Sequence, residues 1–110
     1  MKSLKFYDLA FNALGDPTRR SIFEKLGNGP LSVAHIAEGL SVSRPAVSQH
    51  LKVLKEAKLI SREQIGTRSI YQIDREGLRI IREYLDPFWN EALINFKKIA
   101  EESEKTKLKP

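Results

Sequence analysis

The residues best equipped for chemistry fall in one run, Ser41 to Lys55. Val47, Leu51 and Leu54 stand at i, i+4 and i+7, the spacing that buries one side of a helix. Arg44, Ser48, Gln49, Lys52 and Lys55 fall outside that apolar set, cationic or short and polar, with no acid among them. A helix apolar behind and hydrogen-bonding in front suits the major groove of DNA. Arg44 can fork onto guanine O6 and N7, Gln49 can pair with adenine N6 and N7, and Ser48 can reach either. Lys52 and Lys55 suit phosphates, which give affinity without sequence information. Pro45 and Ala46 can touch a thymine methyl. The N–H groups at a helix start near Ser43 can hold a phosphate. By itself the polar face is equally well read as a solvated surface.

Other chemistry finds little footing. The chain has no cysteine, which removes disulfides, thiol redox sensing, thiolate metal sites and cysteine nucleophiles. His35 and His50 are the two histidines, too few for a histidine-built metal site, so no metal or cofactor is expected. His35 is read as a surface or half-packed side chain. His50 falls with Val47 and Leu54 and is read first as a packed histidine with one hydrogen bond, second as a DNA contact. No nucleophile elbow, HExxH arrangement or glycine-rich phosphate loop is present, so no enzyme activity is expected.

The elements that must position the run follow from periodicity. Apolar residues at Leu4, Tyr7, Phe11 and Leu14 make a first helix that Gly15 stops. Asp16-Pro17 starts a second, with aspartate as N-cap and proline where its missing N–H costs nothing. Ser32 caps a short third helix reaching about Gly39. The fourth runs from Ser43 or Arg44 to about Ala57, its start blurred because Pro45 disfavours helical geometry at Arg44. Leu59–Ile65 and Ser69–Ile73 are β-rich and flank Gly66-Thr67-Arg68, a hairpin with a basic tip. Thr67 and Arg68 there can reach a minor groove; Arg62 is either a phosphate contact or a hairpin partner. Arg19 and Arg20 are read equally as ion-pair partners or phosphate ligands. Asp74 caps a long last helix, and Pro87 predicts a kink or a restart at Asp86-Pro87.

The order is four helices, a hairpin and a helix: a mainly α protein with a β-hairpin wing, the winged helix-turn-helix. Residues 1–104 are read as one DNA-binding and dimerisation domain and 105–110 as a charged flexible tail. The net charge is +5, which raises the expectation of a polyanionic partner. Arg44, Lys52, Lys55, Lys58, Arg62 and Arg68 concentrate that charge in the fourth helix and the hairpin segment beyond it. No run is long and apolar enough for a membrane span and no signal-peptide core is present, so a cytoplasmic protein without membrane contact is expected. An apolar seam of Leu85, Phe88, Trp89, Leu93 and Phe96 on the last helix, with Phe6, Tyr7 and Phe11 on the first, suits burial against a twin.

These motifs together resemble the ArsR/SmtB family of repressors, in its SdpR-like branch. The likeness is carried by Asp16-Pro17-Thr18-Arg19-Arg20, Ile36-Ala37, Ser43 through Leu54, and Tyr71, and spans roughly Phe6 to Phe96. The resemblance implies a homodimer through the first and last helices, the fourth helix in the major groove, the hairpin on flanking DNA, and repression, often of the protein's own promoter. Release by a partner protein is one precedent it suggests. Lys58 stands where relatives usually have glycine; a lysine there costs about 1 kcal/mol at positive φ, so a different local turn is expected. Two rivals are a winged-helix protein-interaction module and a ligand-gated DNA-binding sensor.

Overall fold

The computed structural model describes residues 2–108, with side chains over 5–104. In chain order the elements are α1 (Lys2–Gly15), α2 (Pro17–Leu26), β1 (Leu31–Ser32), α3 (Val33–Ala37), α4 (Arg44–Glu56), β2 (Ile60–Ile65), β3 (Arg68–Ile73) and α5 (Arg75–Leu108). The chain divides into two compact units, Met1–Leu78 and Arg79–Pro110.

The first unit is built by capped helices. Asp16 is the N-cap of α2, its carboxylate accepting from the Arg19 backbone N–H at 3.0 Å, with Pro17 opening the helix. Ser32 caps α3 and Ser43 caps α4 in the same way, accepting from the N–H of His35 and of Ala46. Arg44 is the first residue of α4 and Pro45 the second, where the missing N–H has no helical partner to lose. Arg19 and Arg20 hydrogen-bond to main-chain carbonyls and not to a carboxylate. Arg19 Nε donates to the Ala13 carbonyl at 2.9 Å and its terminal nitrogen to Asn12, while Arg20 donates to Leu14. They cap the unsatisfied carbonyls at the end of α1. Lys25 performs the same service for α3, donating to the carbonyls of Ile36 and Glu38.

Ile22 of α2, Ile36 of α3, Val47, Leu51 and Leu54 of α4, and Leu59 and Ile60 are completely or almost completely buried. Each such side chain contributes about 1.5–3 kcal/mol by leaving water. The apolar triad read for α4 is therefore its core face. On α1 the buried residues are Ala10 and Ala13, which let α1 pack against α2 and α4; Phe11 stays exposed. The side chain of Leu4 lies outside the described residues.

The sheet has three antiparallel strands in the order β1-β3-β2. β2 and β3 pair from Ile60↔Ile73 to Ile65↔Arg68, so the turn is Gly66-Thr67 and Arg68 is the first residue of its strand. Gly66 has φ 62° and Thr67 is not at positive φ, the pattern of a type II′ hairpin with glycine first. β1 was not foreseen. Its two residues, Leu31↔Tyr71 and Ser32↔Ile70, are too few to show an alternation. α3 ends at Ala37, earlier than the reading to Gly39.

The expectation of a different turn at Lys58 is overturned: Lys58 takes φ 64°. Its N–H bonds the Lys55 carbonyl at 3.0 Å and the Leu59 N–H bonds Leu54 at 3.1 Å, the two bonds of a Schellman C-cap. Leu54 and Leu59, both buried, supply the apolar contact such caps favour. These bonds and that burial hold a lysine where glycine would be unstrained.

α5 continues through Pro87, so of the kink or restart expected at Asp86-Pro87 the restart is overturned. A proline removes one helical N–H but leaves the following turns able to propagate. α5 runs on to Leu108, into the segment read as a tail; Lys109, Pro110 and the side chains from 105 onward lie outside the described residues. In the second unit Leu85, Phe88, Trp89, Leu93 and Phe96 are all exposed, Trp89 by 65% and Phe96 by 71%.

Candidate nucleic-acid interface

α3 and α4, joined by the turn around Ser41-Val42, are the helix pair. Because Val47, Leu51 and Leu54 are committed to the core, the opposite side of α4 is turned outward. Ser43, Arg44, Pro45, Ser48, Gln49, Lys52 and Lys55 lie at the start of α4 or along it, and Arg44, Pro45, Ser48, Gln49 and Lys52 are exposed there. His50 is half-buried and sits apart from that face, near enough to Asp16 for its charge to act on that carboxyl. The Asp16 carboxyl is held below its ordinary value of 3.8, chiefly by the hydrogen bond from the Arg19 backbone N–H, with the charges of Arg19 and His50 acting the same way against partial desolvation.

Two depressions lie where α4 meets the hairpin. One, of about 330 Å³, is lined by Ser48, Lys52, Lys55 and Glu56 of α4 and by Arg62 and Tyr71 of the hairpin. The other, of about 410 Å³, is lined by His35 of α3, Arg44 of α4 and Thr67, Arg68 and Ser69 of the hairpin, among others. The structure thus brings the cations of α4 together with those of the hairpin at two places along one helix. Glu56 is the one carboxylate lining either depression among the described residues.

Arg62 is a hairpin partner. Its Nε donates to Ser69 Oγ at 3.0 Å and a terminal nitrogen donates to Gln64 Oε1 at 2.9 Å, while Ser69 donates to the same Gln64 oxygen at 3.0 Å. The guanidinium has five donors, so these two bonds orient it and leave others for a ligand. Tyr71, directly opposite Arg62 in the pairing, lines the same depression. Glu56, Tyr71, Ser69 and His35 carry no DNA contact in the reading from sequence. Only the strand register, which the sequence leaves open, puts Tyr71 and Ser69 there.

Among the described residues no group of three His, Cys, Asp or Glu side chains comes together to hold a metal ion, and no helix is long and apolar enough to cross a membrane.

Helix pair, outward basic helix and three-stranded wing define a winged helix-turn-helix protein, the architecture of DNA-binding transcription regulators. Residues 14–63 match the family model described as a helix-turn-helix domain. The chain is 50% identical over 99 residues to the HTH-type transcriptional regulator Rv2034 of Mycobacterium tuberculosis, covering 90% of this chain and 92% of that one. It is 39% identical over 69 residues to the transcriptional repressor SdpR of Bacillus subtilis, covering 63% of this chain and 77% of SdpR. A homodimeric winged helix-turn-helix DNA-binding domain from Mycobacterium bovis, a possible ArsR-family regulator, superposes with a TM-score of 0.66 at 26% identity, covering 82% of this chain and 83% of its own. The chain belongs to the ArsR/SmtB family of winged helix-turn-helix transcriptional repressors.

Proposed function

We propose that this repressor binds an inverted-repeat operator as a homodimer, each protomer placing α4 in a major groove. The reading is carried by one observation: the side of α4 away from the core presents Ser48, Gln49, Lys52 and Lys55 beside the hairpin's Arg62. Ser48 and Gln49 meet base edges, Arg44 meets guanine or the adjoining backbone, and Pro45 a thymine methyl. Lys52, Lys55 and Arg62 meet phosphates, Ser43 and the N-terminus of α4 another, and Thr67 and Arg68 carry the wing onto flanking DNA. His50 supports α4 from its half-buried position.

The twin is supported by aromatic and aliphatic residues left half-buried or exposed in each unit. Phe6, Tyr7 and Phe11 of α1 form a ring cluster, with Tyr7 stacked on Phe11 at 6.5 Å between centroids. On α5, Leu85, Phe88, Trp89, Leu93 and Phe96 leave a large apolar surface in water. The homodimeric neighbour from Mycobacterium bovis supports a dimer. Two-fold symmetry then sets half-sites about 34–36 Å apart, one turn of the duplex. Such a repressor acts where the chromosome lies, in the cytoplasm.

Selection of bound fragments from sheared genomic DNA tests the reading. The expected product is a short inverted repeat with one-turn spacing, enriched at few loci. Recovery of no fragment above a carrier control at low salt would end it.

A further inference from the structure

We propose that His35, Arg44 and Arg68 form a seat for one backbone phosphodiester of bound duplex. The inference rests on the DNA-binding reading above and adds to it a residue, His35, outside the helix and the hairpin to which contacts have so far been assigned. The seat is the depression of about 410 Å³ that α3, α4 and β3 share. Three nitrogen-bearing side chains and the hydroxyls of Thr67 and Ser69 line it, and no carboxylate does.

His35 is held for the task. Ser32, only 7% exposed, accepts from the His35 backbone N–H at 3.3 Å, and its Oγ stands 2.9 Å from His35 Nδ1. The hydroxyl can donate to Nδ1 or accept from it, so the contact fixes the place of the ring in either tautomer, with Nε2 on the edge away from Ser32. When the ring is charged, Nδ1–H donates to Oγ and Nε2 also carries a proton. The charged ring therefore offers both a donor and a positive charge at Nε2, held in place by the contact at Nδ1. The charged groups facing it across the depression are Arg44 from α4 and Arg68 from β3. A phosphodiester brings one negative charge and acceptor oxygens only, the complement of this lining. In this arrangement Arg44 serves the backbone, and base reading falls to Ser48 and Gln49.

The test uses the whole chain and a fluorescent duplex carrying its selected site, beside an unrelated duplex, at pH 6 and pH 8 over a salt series. Histidine is the side chain that gains its charge across that interval. Wild type should bind both duplexes more tightly at pH 6, and H35Q and H35A should each lose about two- to fivefold of that gain, the worth of an exposed ion pair. H50Q and Q49A should keep it. R44A and R68A should weaken both duplexes alike and each lower the salt slope by about 0.9. If the pH response survives in H35Q and H35A, the seat is wrong and the DNA reading stands; if wild type binds no duplex, both fall. Inorganic phosphate separates a free-anion site from a duplex seat. Shifts of the His35 ring NMR signals that saturate below millimolar phosphate, with duplex affinity unchanged, would overturn the proposal, whereas weak shifts that compete with duplex support it.

Discussion

Gly77 at the start of α5 lies against the backbone of Lys58: a Cβ placed on Gly77 would stand 2.0 Å from the Lys58 carbonyl oxygen. No rotamer change relieves a clash with main chain. Replacing Gly77 by alanine should therefore destabilise the fold by about 3 kcal/mol, the upper end of overpacking costs. Urea unfolding followed by circular dichroism measures it; a midpoint within error of wild type contradicts the packing described.

Lys58 itself should be improved by substitution. At φ 64° a side chain with a Cβ is strained, and Lys58→Gly relieves about 1 kcal/mol of that strain. The gain is net of the greater freedom glycine has in the unfolded chain. The same unfolding experiment should show K58G at least as stable as wild type and an alanine variant, K58A, no more stable than wild type.

Asp16 makes the fold acid-sensitive at the start of α2. Its folded carboxyl titrates below 3.8 because the Arg19 N–H bonds the ionised form. A lowered folded value means stability that is fully present above the unfolded value and lost as pH falls through the folded one. Wild type should thus exceed Asp16→Ala in stability at pH 7, and the difference should shrink below about pH 4. Melting both proteins from pH 7 down to pH 3 checks the sign; a gap that widens in acid refutes it.

On DNA, Gln49→Ala and Lys52→Ala should fail differently. Q49A should lose about 1–3 kcal/mol of discrimination at one base pair and little affinity for unrelated duplex. K52A should weaken every duplex alike and reduce the salt slope by about 0.9. Equal salt slopes for K52A and wild type would remove Lys52 from the phosphate contacts.

Trp89, 65% exposed in a single chain, is assigned to the face between twins. Truncating an aromatic anchor at the centre of an interface costs about 2 kcal/mol or more, and a symmetric pair loses it twice, so Trp89→Ala should raise the dimer dissociation constant by roughly thirtyfold at the least. Sedimentation equilibrium reads this directly. A variant with the wild-type dimer constant places the interface elsewhere.

Local chemistry was legible in the sequence wherever a residue's neighbours in the chain decide its role. The caps at Asp16 and Ser32 and the buried triad of α4 are of this kind, since cap and period are matters of three or four residues. Arg19, Arg20 and Arg62 were not legible: each is satisfied by groups two to seven positions away whose distance depends on a turn or a strand register. β1 escaped because two residues carry no periodicity. Lys58 ran against the local rule, since its φ is imposed by Leu54 and Leu59 being buried together. The reading of the α4 face needed the core assignment alone; the joining of that face to the hairpin needed the fold.

The two residues of β1 have a mechanical outcome. They fasten the chain just ahead of α3 to the middle of β3, through Leu31↔Tyr71 and Ser32↔Ile70. The wing is thereby not a free arm hanging from the far end of α4 but a bracket bolted at both ends. Such a bracket sets the distance between α3 and the base of the hairpin, while the tip at Ile65↔Arg68 extends beyond the tie. With the wing on flanking DNA as proposed, duplexes whose local shape departs from the one this frame was cut to would have to bend to it, and their stiffness would become part of what the protein senses.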